Sequence, residues 1–389
     1  MKLKICVVVN SRANYGRVKA FLLEAKKSQK VDLRILVSAS AVLYKFGDVY
    51  KNIEKDGFKI DKKIHSIVDG DTLATMAKST GLLTIEFATY LDQLKPDIVF
   101  VIADRFENLA VATAASYMNI PLAHIQGGEV SGSIDEKVRH AITKLSDIHF
   151  VSTERARKFL IKMGENPGYV FNSGCPSIDI VKLNSLKEYK REAHLILNRK
   201  SVDNFYFQNK KYVIVLQHPV TIEYKNVKEQ IKQTIDAIKK LKEKKINVVW
   251  LWPNIDAGSD EISKQIRIES LSNSMPHVRF YKNFTPEEYI KVLKNSLCVV
   301  GNSSSGIREA SFLGVPCVNI GSRQSNREKS SNVIDVVYSK KKILKAILYQ
   351  VAHGKYKKNY LYGRGNASKK IMKIIIKKKI IIEKKLNYL

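Results

Sequence analysis

The sequence predicts an α/β protein made of two Rossmann-like halves, each carrying a parallel sheet, with a cleft between them. Three observations predict it. Strand-like and helix-like signals alternate almost throughout, which calls for right-handed crossovers between parallel strands. Two successive apolar runs, LKPDIVFVI and IPLAHI, end abruptly in charged and polar groups with a helical pattern between them. The chain has 389 residues, too long for one comfortable core and suited to two domains.

The elements follow in order. KICVVV reads as the first strand, Tyr15 to Ser28 as a helix, and VDLRILVSA as the next strand. Residues 72–95 form a helix leading into LKPDIVFVI. After Glu129 a helix runs through Asp135 to Leu145, then comes the strand DIHFVS, and Thr153 caps ERARKFLIKMG. GCPSIDI, at 174–180, marks a domain junction, and the weaker pattern of 182–210 suits a helix and a variable loop. Beyond it, KYVIVLQHP is a strand, 226–243 an amphipathic helix and INVVWLWPN another strand. SLCVVGNSSSGIREASFLGVPCVNIG then repeats the strand–turn–helix–strand scheme. The expected domains are 1–175 and 176–365, with a Lys/Ile-rich helix over 366–389 that packs back on the first domain.

Composition narrows the class. A hydrophobic share of 44% belongs to a globular chain. No apolar run approaches the roughly 18 residues of a membrane span. The apolar core of MKLKICVVVNSR is too short for a signal peptide. Cys6, Cys175, Cys298 and Cys317 are widely separated, as for reduced, buried thiols in a cytoplasmic protein. The net charge of +30 invites a nucleic-acid reading, but residues 340–389 hold 16 Lys or Arg against one acid, Glu383, which is half of it. The favoured reading of that segment is a solvated Lys-rich face, with anionic membrane contact as the alternative and nucleic acid last. The remaining positive charge suits anionic substrates such as nucleotides.

The candidate site residues lie at the ends of the predicted strands, where open α/β sheets bind ligands. The first pair of runs delivers Asp104, Arg105, Gln126, Glu129 and Asp135 to one edge. Arg12 follows the first strand in Ser11-Arg12-Ala13-Asn14-Tyr15-Gly16. The turn Gly301-Asn302-Ser303-Ser304-Ser305-Gly306 opens a helix carrying Arg308 and Glu309. Its amides and hydroxyls make a diphosphate cradle, or else an ordinary capping turn. It is neither a Walker loop nor GxGxxG. Arg323, after the next strand, brings a cation to the same edge, and His218 sits at a strand tip before Pro219. The histidines show no paired metal-ligand spacing, so no metal cluster is expected, and no GxSxG nucleophile motif occurs.

These residues carry a resemblance. SRANYGR, VDGDTLATMAKSTGL, the stretch LKPDIVFVIADRFENLAVATAASYMNIPLAHIQGGEVSGSIDEKVRHAITKL, GCPS, LQHPVT, PNIDAGS, GNSSSGIREA and GSRQSNRE are similar to the hydrolysing UDP-N-acetylglucosamine 2-epimerases. The resemblance spans residues 10 to about 330. It implies a GT-B-like fold and conversion of UDP-GlcNAc to ManNAc and UDP through a 2-acetamidoglucal, in sialic-acid-type biosynthesis. It also implies a cytoplasmic homodimer or homotetramer without metal or redox cofactor. By resemblance, Asp104 and Asp135 match catalytic acids and His218 the cleft histidine. Arg12, Ser303, Ser304 and Arg323 match nucleotide-binding positions. Gly306 belongs to the same cradle, Glu309 reaches the ribose diol, and Arg105 follows Asp104 as in the family.

Two departures stand out. Gln126 replaces a Glu regarded as catalytic in many relatives, and Glu129 is the candidate to take over its role. Ala103 replaces the Gly that precedes the Asp. The alternatives are the same reaction on a modified sugar nucleotide, such as UDP- or GDP-linked diacetylbacillosamine or GDP-GlcNAc, and a GT-B glycosyltransferase or nucleotide-sugar binder.

Overall fold

The computed structural model describes residues 2–70, 72–131, 134–185, 190–200, 211–254 and 256–387. The variable loop expected within 182–210 therefore lies in part outside the described residues, as do Asp71, Gly132, Ser133 and Ile255 of the quoted motifs. The chain divides into two compact units. The first takes the chain up to Val130, Ile134–Ile180 and the segment from Tyr362; the second takes Val181–Leu361.

In the first unit the strands are β1 (Leu3–Val9), β2 (Val31–Ser38), β3 (Lys62–Ile64), β4 (Ile98–Ile102), β5 (Leu122–Ile125), β6 (Ile148–Val151) and β7 (Val170–Asn172). They form a parallel sheet of order β3-β2-β1-β4-β5-β6-β7. β1 and β4 are buried along most or all of their lengths, because helices cover both faces of the sheet. On one face Ile5, Val7, Phe100 and Phe150 pack against Phe21 and Leu22; on the other Val8, Val99 and Val101 meet Leu83, Phe87 and Leu91. Helix Leu73–Leu94 is fixed at its start by a reciprocal cap between Thr72 and Thr75, and it ends at Lys95, which turns left-handed before Pro96.

In the second unit the strands are β8 (Tyr212–Leu216), β9 (Asn247–Leu251), β10 (Val278–Tyr281), β11 (Val299–Gly301), β12 (Cys317–Ile320) and β13 (Val333–Val336), in the order β10-β9-β8-β11-β12-β13. All the pairings are parallel. Both orders reverse between the first strand and the fourth. A crevice therefore opens at the carboxyl ends of β1 and β4, and another at those of β8 and β11.

Three expectations need correction. Helix 366–389 is shorter: it covers Ala367–Ile375, buries Ile371, Met372 and Ile375 in the first unit's core, and gives way to an irregular path. The cause is tertiary. Lys384 leaves the helical course to pair with the buried Glu165 at 2.7 Å and to donate to the carbonyls of Thr143 and Ser146, while the Asn387 N–H reaches the Gly164 carbonyl. The unit boundaries also fall a few residues from 175 and 365, because Asp179 accepts from the N–H groups of Ala367 and Ser368 and Cys175 donates to Tyr362. The turn at 301–306 leads into a single 3₁₀ turn, Ser304–Gly306, and then a helix of only five residues, Glu309–Leu313. A dipole of that length lends the cradle little field.

All four cysteines are buried. Among the described residues, no helix is long and apolar enough to cross a membrane.

Candidate active site

In the first unit the crevice beside β4 is organised around Arg139, a residue the sequence reading did not select. Helix Ile134–Leu145 carries Asp135 in its first turn, Arg139 one turn later and Ile142 and Thr143 below, so one face descends from solvent to core. The guanidinium is 1% exposed. Its Nη2 donates to the Asp104 carboxylate, and its Nη1 to the Glu129 carbonyl at 2.5 Å. Burial alone pushes the Arg139 pKa down. The charges of Asp104, Glu129 and Asp135 outweigh that and hold it above its ordinary value. Three of the predicted carboxylates are thus gathered about one buried cation, and each favours ionisation of Arg139.

The strand tips hold this arrangement. His124, inside β5, makes a 2.9 Å hydrogen bond through Nε2 to the Ala103 carbonyl and one of 3.2 Å through Nδ1 to the Thr143 hydroxyl. Burial brings its pKa down to about 3, so the ring is neutral and donates from Nε2 to the carbonyl. Ala103 (φ +64°) and Gln126 (φ +70°) both lie in the left-handed region, as does Ala39 at the end of β2. Non-glycine residues there store strain, and this strain sits where the chain must turn to present Asp104 and Glu129. In Gln126-Gly127-Gly128-Glu129, Gly128 (φ +74°) leaves no room for a Cβ, which would overlap the Ala156 carbonyl.

The other residues predicted here have different surroundings. Gln126 is 0% exposed; its Nε2 contacts the Cys175 sulfur at 2.8 Å, and its Oε1 has no hydrogen-bond donor. Arg105 turns its guanidinium onto the fully buried Glu107, with Nε 3.0 Å from Oε2. Arg12 opens helix Arg12–Lys27 after Ser11, whose hydroxyl caps the Asn14 N–H. A buried polar chain ties this loop to β4: Ser38 donates to Asn10, Asn10 donates to Asn108 at 2.7 Å, and Asn108 donates to the Ile102 carbonyl.

In the second unit Asn302 is the hub. The His218 N–H donates to Asn302 Oδ1 and Asn302 Nδ2 donates back to the His218 carbonyl, both at 2.8 Å. The Asn302 carbonyl accepts from Arg323 Nη1 at 3.3 Å and from Gln324 Nε2 at 3.0 Å. One buried residue thus joins the tips of β8, β11 and β12. His218 Nδ1 accepts from the Asn254 N–H at 3.2 Å, which in the neutral ring leaves the proton on Nε2 as a donor. Ser303 caps the Ser305 N–H, Ser304 begins the 3₁₀ turn, and Tyr289 bonds Ser305. Gly306 has a packing reason to be glycine, since a Cβ there would overlap the Cys317 sulfur. Glu309 Oε2 is buried and meets no donor.

Arg139, His124 and Asn302 are the residues the sequence reading passed over. Only Arg139 left a signal, its position four residues after Asp135 on one helix face. Among the described residues, no group of His, Cys, Asp and Glu is placed to hold a metal ion.

The fold is matched in a solved structure, and the sequence in curated relatives. A solved Methanocaldococcus jannaschii UDP-GlcNAc 2-epimerase, in complex with UDP-GlcNAc and UDP, superposes with a TM-score of 0.79 at 20% identity, covering 96% of this chain and 99% of that one. That likeness shows the GT-B-like fold. A Legionella pneumophila UDP-N,N'-diacetylbacillosamine 2-epimerase (hydrolyzing) is 35% identical over 96% of this chain and 95% of its own length. A Campylobacter jejuni GDP/UDP-N,N'-diacetylbacillosamine 2-epimerase (hydrolyzing) is 34% identical over 86% and 84%. The family model described as UDP-N-acetylglucosamine 2-epimerase matches residues 23–376, which include both strand-tip clusters, and the chain belongs to that family.

Proposed function

We propose that this chain is a hydrolysing 2-epimerase of a UDP-linked 2-acetamido sugar. The observation that carries the reading is the gathering of Asp104, Glu129 and Asp135 around the buried guanidinium of Arg139 at a carboxyl-edge crevice. Epimerisation at C2 requires one proton to leave that carbon and another to arrive from the opposite face. A set of carboxylates is the side-chain chemistry suited to both transfers.

The reaction balances as follows. The C2 proton passes to a carboxylate while the C1–O bond breaks, releasing UDP and leaving a 2-acetamidoglucal. Water then supplies hydroxide to C1 and a proton is returned to C2, giving the free sugar inverted at C2. One water is consumed and no electrons change hands. Asp104 and Asp135 are assigned the proton transfers. Glu129 stands in for the acid missing at Gln126, and Arg139 orients Asp104 through Nη2. In the second unit His218 Nε2–H, Arg323, Ser303, Ser304 and the Gly306 turn are suited to hold a departing diphosphate; in the first unit Arg12 and Arg105 are cations at its own strand tips, Arg105 already paired with Glu107. The unpartnered Glu309 oxygen suits a ribose hydroxyl donor.

UDP-GlcNAc, giving ManNAc, is one substrate reading. The identities of 34–35% to hydrolysing diacetylbacillosamine epimerases support UDP-linked N,N'-diacetylbacillosamine as the other. The test is incubation with each UDP-sugar separately in deuterated water, following UDP release and the mass of the sugar. Free sugar deuterated at C2 is expected with one of the two. UDP release that depends on an added acceptor, or sugar without deuterium at C2, would sink the proposal.

A further inference from the structure

Helix Ala367–Ile375 and the segment after it present a cationic surface that the chemistry above does not use. Between residues 369 and 385 there are eight lysines and one acid, Glu383. Beside the edge strand β7 lies an open groove of about 530 Å³, walled by Lys370, Lys373, Lys377 and Lys378 over Phe171 and Ile374. Among the described residues, none of these four lysines pairs with a carboxylate. Lys378 instead lies over the Tyr169 ring, 4.4 Å from its centroid.

The segment that follows is held in place. The Tyr169 hydroxyl donates to the Lys379 carbonyl at 3.2 Å, Lys384 is anchored on Glu165, and the Asn387 N–H bonds to Gly164. Even so, Ile381 is 52% exposed, Ile382 47% and Leu386 52%, on a segment that also carries Lys379, Glu383, Lys384 and Lys385. Burying its inner face does not require the chain to present these three side chains outward.

We propose that this face docks the protein on an anionic lipid surface, with the lysines meeting phosphate headgroups and Ile381, Ile382 and Leu386 entering the headgroup–acyl boundary. A groove walled by four lysines that pair with no carboxylate, an aromatic ring under one of them, and exposed apolar side chains on the segment that follows are what such a surface recognises. A free anion would have no use for the isoleucines. A second copy of the chain would bring like charge against like charge. Nucleic acid is recognised best through arginine and stacking aromatics, whereas this patch is lysine and isoleucine.

The test is cosedimentation of the full chain with vesicles at physiological salt. Binding is expected to vesicles containing phosphatidylglycerol and not to vesicles of phosphatidylcholine alone, with release at high salt. The triple variant Lys370→Glu/Lys373→Glu/Lys377→Glu should lower lipid affinity by about tenfold or more, and the Gln triple by less. Ile381→Ser/Ile382→Ser should weaken it severalfold at unchanged charge. Each variant should keep its melting temperature and its rate of UDP release. The proposal is overturned by no binding to anionic vesicles, by equal binding to neutral ones, by affinity unchanged in every variant, or by retention of RNA where vesicles are not retained.

Discussion

Arg139 and Asp104 form an ion pair in which the cation is the more deeply buried partner, 1% exposed against 14%. The carboxylate thus lies between a fixed positive charge below and the strand-tip crevice above. Its orientation is set on two sides, by Nη2 of Arg139 and by the turn at Ala103, whose carbonyl His124 holds. A proton-transfer group gains from such fixation, because the barrier then includes little reorganisation.

Replacing Arg139 by Met should therefore damage stability as well as activity. The change leaves Asp104 and the Glu129 carbonyl without their buried donor, a loss typically worth about 3–5 kcal/mol. The double variant Arg139→Met/Asp104→Asn should recover part of that, since the uncompensated charge is gone. Chemical denaturation of these two variants and of Asp104→Asn measures the coupling; strictly additive losses would mean the pair contributes nothing as a pair.

In the second unit, Arg323→Ala, or Ser303→Ala with Ser304→Ala, should weaken UDP binding. Each lost charge-assisted hydrogen bond is worth about 1.5–3 kcal/mol. Asn302→Ala should do so indirectly, because it releases the His218 loop and the Arg323 loop together. Titration calorimetry with UDP is the measurement, and unchanged affinity in all three variants would remove the diphosphate site from this crevice.

The buried cluster around Glu165 predicts a pH dependence. Burial raises the Glu165 pKa, but the hydrogen bonds from His149 and Lys384 outweigh it and hold the carboxyl near about 2, below its ordinary 4.5. Burial also lowers the pKa of His149 from 6.5. Both folded values lie below the unfolded ones, so both groups lose stability on acidification: His149 as the pH falls below 6.5, and Glu165 between 4.5 and about 2. With His149 neutral at pH 7, Lys384 is the charge that matters most to Glu165. The melting temperature of Glu165→Gln should be lower at pH 7 and should fall less steeply than wild type below pH 4.5. Parallel curves for the two proteins would refute the assignment.

What the sequence revealed depends on how local the cause was. Helix Leu73–Leu94 was legible to within a residue or so, because Thr72 caps it and Pro96 follows its end. The strand tips were legible because polar groups interrupt apolar runs. The centre of the first cluster was not. Arg139 is set by Asp104, a residue on another element, and no pattern within its own helix states that it is buried. The C-terminal helix was overextended for the same reason: Lys384 answers to Glu165, distant in sequence, and that contact overrides helical periodicity.

Ala103 offers a test of stored strain. At φ +64° an alanine costs about 1–2 kcal/mol relative to an allowed conformation, while glycine there costs about 0.5–1 kcal/mol in unfolded-state entropy. Ala103→Gly should thus raise stability by about 0.5–1 kcal/mol. A loss of stability in denaturant titration would show that the methyl group's packing outweighs the backbone term.

The acid/base assignment is the sharpest test. Asp104→Asn and Asp135→Asn should each reduce turnover by about 10²–10⁴-fold while leaving UDP affinity nearly intact. The shared acid role then turns on Gln126 and Glu129. Gln126 is fully buried against Cys175, with Oε1 facing no donor. A carboxylate at that position would be desolvated, so Gln126→Glu should lower the melting temperature yet be tolerated, or even activated, in turnover if a proton carrier is useful there. If Glu129 has taken over that role, Glu129→Gln should be as damaging as the two Asp changes. The same loss should be partly restored in Glu129→Gln/Gln126→Glu, where a carboxyl group returns to the same strand tip, three residues earlier. Near-normal turnover in Glu129→Gln would show instead that Glu129 carries no proton and serves only to neutralise Arg139.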